Sequence, residues 1–239
     1  MSLPDFAWQV VYGRLAWAVV LASVLVAIFP GPWRRSPRLP ACMLALSLGL
    51  MLLPGQASPA YWLVLAFQYP SALLAACCLL ALAERRQGAR AIGVLPPGLA
   101  GALAVAGAAL YLDGFGLLSQ GYYYAGFSAV GVPLLTVAAS LACAWAIVRG
   151  RHRRHAIPLL GALALFAVLR LPTGNLWDAL IDPLLWAWAV FALARAGLRR
   201  LRRAPAAPVP PLEAASALPV LGVAGVDTYS TNKEQVSGN

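Results

Sequence analysis

FAWQVVYGRLAWAVVLASVLVAIF, residues Phe6 to Phe29, runs for 24 residues with a single charge, Arg14. An α-helix needs about 20 apolar residues to cross the hydrocarbon of a bilayer, whereas a surface helix of a soluble domain keeps a polar face. The stretch therefore reads as a transmembrane helix. It reads as retained rather than cleaved, because no small-residue cleavage site precedes the arginines that follow. Pro30 and Pro32 close it, since proline cannot continue a helix.

Six more segments outward from this one fit the same description: near Leu39 to Leu53, Ala60 to Ala83, Ala91 to Leu112, Ser128 to Val148, His155 to Leu171 and Leu176 to Leu198. Pro54-Gly55 ends the second, and Pro172 with Gly174 ends the sixth. Pro158 falls in the first turn of the sixth, where its missing N–H is harmless. Asp182-Pro183 also reads as an N-cap and first helical residue, in which case the last membrane helix begins there and 176–181 forms a short interfacial turn. The predicted fold class is all-α, a polytopic membrane helix bundle of about seven transmembrane helices. Composition agrees: 61% of the 239 residues are hydrophobic and 11% charged, with a mean hydropathy of +0.75. A soluble globule does not carry that balance.

Charge supplies the orientation. The chain has 18 Lys plus Arg against 8 Asp plus Glu, net +10, and every cation except Lys233 is arginine. The arginines concentrate in GPWRRSPR, ERRQGAR, RGRHRR and LRRLRR, after the first, third, fifth and seventh segments. The intervening loops PGQASP, DGFGLLSQGYYYAGF and PTGN carry almost no cations. Positive loops stay in the cytoplasm, so the N-terminus is expected outside and the C-terminus inside. The expected location is a plasma membrane, and the Ala, Leu, Arg and Pro richness points to a bacterial inner membrane. The bilayer is thus the first partner, and no nucleic acid is expected, because no basic stripe lies on a polar domain.

Residues 1–203 read as the transmembrane domain and 204–239 as a Pro/Ala-rich tail. APAAPVPP favours extended polyproline-like chain, and the last residues change composition enough to read as an appended segment or a native flexible tail able to dock a partner.

Several chemistries are excluded. Cys42, Cys77, Cys78 and Cys143 lie in apolar runs without CxxC spacing and read as small buried residues. His152 and His155 sit in a basic loop, so neither a metal site nor a cofactor is expected. No GxSxG elbow, HExxH helix or Walker loop occurs. The chain leans away from being an enzyme.

Polar groups inside the membrane are the default place for function. In the third segment Gln68 and Tyr69 precede Pro70, which frees the Ala66 carbonyl and predicts a kink with a polar lining. In the fifth, Pro133, Thr136, Ser140 and Cys143 share a helical face, and Pro133 is expected to free the Ala129 carbonyl and bend that helix too. Arg14, Arg170, Asp178 and Asp182 are the charged exceptions; an ion pair of Arg170 with Asp178 or Asp182 is the simplest arrangement. The two aspartates share one face if their helix is continuous. The loop around Tyr122, Tyr123 and Tyr124 is glycine-punctuated and suits a lid or re-entrant segment stacking on a lipid headgroup, a sugar or a quinone.

These residues yield three functional expectations. The first is a protein that binds or translocates a small or amphipathic molecule entering from the outer face, with Gln68, Tyr69, Arg14, Arg170, Asp178, Asp182, Tyr123, Thr136 and Ser140 as candidate binding residues. A cavity lined by Gln68, Tyr69, Arg170 and Asp182 is its structural signature. The second is an accessory, non-catalytic subunit of a larger membrane complex. The third is a transferase acting on a lipid-linked substrate, with Arg14 and Arg170 clamping phosphate and Asp178 or Asp182 as base.

Overall fold

The computed structural model describes residues 4–29, 36–87, 96–150 and 152–202. The tail at 204–239 and the arginines at 34–35 and 88–95 lie outside the described residues. Among the described residues the chain is all-α, with ten α-helices and one 3-10 turn, Gly55–Ala57. α1 (Phe6–Ile28) starts at Asp5, whose carboxylate accepts from the Ala7 N–H at 2.8 Å and caps the helix. α2 (Leu39–Met51) carries Pro40 in its first turn. The Ser58 hydroxyl caps α3 (Pro59–Phe67) and donates back to the Met51 carbonyl at 3.1 Å, tying two helix ends together. Then follow α4 (Ala72–Arg86), α5 (Pro97–Gly114), α6 (Tyr122–Ala125), α7 (Gly131–Val148), α8 (Arg153–Leu169), α9 (Leu176–Leu180) and α10 (Pro183–Arg202).

Three helices, α1, α5 and α7, are long and apolar enough to cross a membrane, which points to a membrane protein. Their outward surfaces agree: Val105 on α5 is 73% exposed and Leu141 on α7 66%. An aqueous surface would leave such runs of exposed apolar side chains liable to association.

The expected boundaries change at three places. The third segment is two helices, α3 and α4, separated by residues 68–71. The seventh follows the Asp182-Pro183 alternative, with α9 and α10 parted at Ile181 and Asp182; the face that Asp178 and Asp182 would share on a continuous helix is therefore not formed. α7 begins at Gly131, so Pro133 lies in its first turn and bends nothing. Ala129 precedes the helix, and its carbonyl is not a vacancy in any ladder. Pro158 stands inside α8 rather than in its first turn. Cys77, Cys78 and Cys143 are buried as expected, but Cys42 is exposed.

The core gathers around α4. Ala72, Leu73, Leu74, Cys77 and Cys78 pack with Trp17 and Ala18 of α1, Ala100 and Leu103 of α5, and Leu185 and Ala189 of α10. The small-residue face of α5 lets α10 come close: a Cβ on Gly107 would stand 2.3 Å from Cδ1 of Trp186, whose indole N–H donates to the Ala104 carbonyl at 2.9 Å. At one end of the bundle Arg85 of α4 donates to the Val26 carbonyl of α1 at 3.0 Å, and Glu84 pairs with Arg154 at the start of α8. α6 and α9 therefore sit at the opposite end, beyond the far terminus of α8.

Candidate functional site

The interruption at 68–71 is held by three separate hydrogen bonds. Gln68 adopts φ 60°, ψ −138°, a conformation that L side chains rarely take and that costs of order 1–3 kcal/mol. Its carbonyl accepts from the Trp17 indole at 2.9 Å, and the Tyr12 hydroxyl donates to the Pro70 carbonyl at 2.6 Å. The Ser71 N–H donates to Asp182 Oδ2 at 2.6 Å, while Asp182 Oδ1 accepts from the Leu185 N–H at 2.7 Å. One buried carboxylate thus satisfies backbone donors at the starts of both α4 and α10, where the helix dipoles favour negative charge.

That geometry assigns the predicted polar kink to architecture. Asp182 is occupied by backbone, the Gln68 side chain is exposed, and Tyr69 packs its ring over Gly13, where a Cβ would lie 2.6 Å from it. The Arg170 guanidinium lies over the Phe166 ring at 5.3 Å. Arg14 is half-buried on α1. Thr136 is buried on α7 with its hydroxyl lacking a hydrogen bond, and Ser140 is half-buried one turn on. α7 packs mainly on α8. The polar residues at 68–71 and the Thr136–Ser140 face are not brought together.

A cavity of about 650 Å³ opens instead where the end of α5, the loop 115–121, α6 and α9 meet. Of the predicted residues it takes Asp178 and Tyr123. Asp113 builds its loop: the buried carboxylate accepts from the backbone N–H groups of Gln120 at 3.1 Å, Gly121 at 2.9 Å and Tyr123 at 2.8 Å. Three donors converging on one carboxylate fold the glycine-rich loop back over the helix end. Sequence reading passed over Asp113, although an acid at a helix terminus followed by Gly114, Gly116 and Gly121 is the signal for such a turn.

Asp178 lies across from it. The Thr173 hydroxyl donates to Oδ2 at 2.5 Å and the Tyr123 hydroxyl at 3.1 Å. Burial pushes the Asp178 carboxyl above the usual carboxylate range, with those two hydrogen bonds pulling it partly back. Burial together with the neighbouring Asp178 charge pushes the Tyr123 phenol up to about 12, so it stays a donor. Asn175, fully buried, caps α9 by accepting from the Trp177 N–H at 2.9 Å and donates from Nδ2 to the Tyr123 carbonyl at 3.2 Å. The Trp177 indole donates to the Tyr122 carbonyl at 2.9 Å, and the Leu176 N–H to the Gly126 carbonyl at 3.1 Å. α6 and α9 are laced together along their length.

The rest of the wall is aromatic and apolar: Tyr111, Phe115, Tyr124 and Trp177, with Leu110, Leu118 and Ile181. Tyr111 stacks edge-on to Trp186 at 5.7 Å, and its hydroxyl oxygen is buried without a hydrogen-bond partner. Among the described residues no group of His, Cys, Asp and Glu gathers to hold a metal ion.

Fold and site together define an all-α protein with candidate membrane-spanning helices and an aromatic, acidic cavity at one end. Comparison with protein-family models, with curated proteins and with solved structures finds no match for the chain.

Proposed function

We propose that the chain is a seven-span plasma-membrane protein, N-terminus outside and C-terminus in the cytoplasm, that binds a small or amphipathic molecule entering from the outer face. The spans are α1, α2, α3 with α4, α5, α7, α8 and α10. Support for the orientation comes from the described arginines Arg85, Arg86 and Arg154 at the Glu84–Arg154 end and from the near-neutral loops at the other. The observation that carries the binding reading is the 650 Å³ cavity, a volume typical of small-molecule sites, with mostly apolar walls and a few convergent polar groups. The transferase reading loses support, because Asp178 and Asp182 serve separate structures and Asp182 has both oxygens on backbone N–H groups.

Two measurements test this. In cells carrying Cys42→Ala, a cysteine replacing Ser119 in the cavity loop should react with a membrane-impermeant maleimide added outside; labelling only after lysis would reverse the orientation. Protein purified in mild detergent and extracted with organic solvent should release an enriched small or amphipathic species detectable by mass spectrometry. Gly114 lines the cavity, and a Cβ there meets no atom within 4 Å. Gly114→Phe should therefore fold, crowd the cavity and lower that yield about tenfold, the equivalent of ~1.4 kcal/mol. Identical extracts from both proteins would remove the binding reading.

A further inference from the structure

We infer that the ligand of this cavity is an organic cation, an ammonium group carried on an apolar body. The inference rests on the binding reading above and names its substrate class. The chain as a whole is strongly basic, at +10, yet no Lys, Arg or His stands among the residues lining the cavity, whereas two carboxylates, Asp113 and Asp178, do. The donors that hold these carboxylates are backbone N–H groups and neutral hydroxyls, which orient the negative charge without cancelling it. The formal charges in the lining are therefore both negative.

The aromatic rings give the same preference independently. Tyr111, Tyr123, Tyr124 and Trp177 are among the lining residues, and the negative faces of such rings attract ammonium groups. Tyr123 makes edge-on contacts with Tyr124 at 6.0 Å and Phe127 at 6.3 Å, so its ring is fixed. A phosphate or carboxylate ligand would meet two like charges and no cation. A neutral ligand would use the walls but make no use of the charge on the two carboxylates. The apolar stretch formed by Leu110, Leu118 and Ile181 accommodates a hydrocarbon body next to the charged head. An ammonium of this kind can come from a lipid headgroup or from a free amine.

The test compares two molecules of one shape on the wild-type protein in phosphatidylglycerol nanodiscs, by calorimetric titration: phenyltrimethylammonium and its neutral isostere tert-butylbenzene. The cation should bind at least about tenfold more tightly. Asp178→Asn should lose that preference while still binding the neutral isostere, which also shows that the variant is folded. Equal affinity for the two overturns the cation assignment; if Gly114→Phe then abolishes both, the binding reading itself still stands. Binding of neither also overturns the cation assignment, and the binding reading then rests on the solvent extraction alone. Where the cation is preferred, nanodiscs of phosphatidylcholine distinguish the source. A tenfold weaker apparent affinity there assigns the ammonium to a lipid headgroup, and an unchanged one to a free cation; both support an ammonium site.

Discussion

Asp182→Ala should lower the stability of the folded chain by about 3–5 kcal/mol, read as a shift in the denaturation midpoint in detergent micelles. The substitution removes two charge-assisted hydrogen bonds, each worth roughly 1.5–3 kcal/mol. It leaves the Ser71 and Leu185 N–H groups buried, where an unmet donor costs its own desolvation. It also removes the negative charge from two helix N-termini at once. Asp182→Asn keeps the volume and one carbonyl acceptor but presents an amide N–H₂ to a second donor, so it should fall between wild type and alanine. A midpoint unchanged in the alanine variant would show that the junction of α4 and α10 is held by packing alone.

The second large effect belongs to Gly126. A Cβ there would stand 1.8 Å from Asn175 Oδ1 and 2.5 Å from Cδ1 of Trp177. Neither neighbour can yield cheaply: Asn175 caps α9 and bonds the Tyr123 carbonyl, and Trp177 is anchored to the Tyr122 carbonyl. Gly126→Ala should force α9 away from α6, costing about 2–4 kcal/mol from overpacking and the lost cap. Since α6 and α9 form two walls of the cavity, ligand retention should fall with it. Gly101→Ala is the matched control. Its Cβ meets nothing within 4 Å on a helix, so it should be neutral or stabilising by up to ~1 kcal/mol. If both glycine variants behave alike, the close approach of α6 and α9 is not what holds the site.

The helices were legible because apolar length and proline punctuation are local signals. Asp182-Pro183 announced the start of α10, and Ser58-Pro59 and Asp5 show the same cap chemistry. The sequence also placed trouble near Gln68-Tyr69-Pro70, but as a bend with a free carbonyl. What it could not show is that the chain there leaves the helix altogether, since the groups that stabilise the interruption, Tyr12, Trp17 and Asp182, are supplied by distant segments. The partners of Asp178 and Asp182 show the same limit: Tyr123 lies 55 positions from the first and Ser71 lies 111 from the second. Pro133 misled for a local reason: its effect depends on whether the helix has already begun, and α7 begins only two residues earlier. Of the cavity, Asp178 and Tyr123 were readable as charged and aromatic exceptions, while Asp113 was passed over.

The bond between Ser71 and Asp182 also sets an order of events in time. The two residues are 111 positions apart, so at about 5–20 residues per second a ribosome reaches the second roughly 6–20 s after the first. Throughout that interval the start of α4 lacks its carboxylate. A nascent chain ending before Asp182 holds the 68–71 interruption with Tyr12 and Trp17 alone, and the pause between α3 and α4 becomes permanent only when the last helix is born.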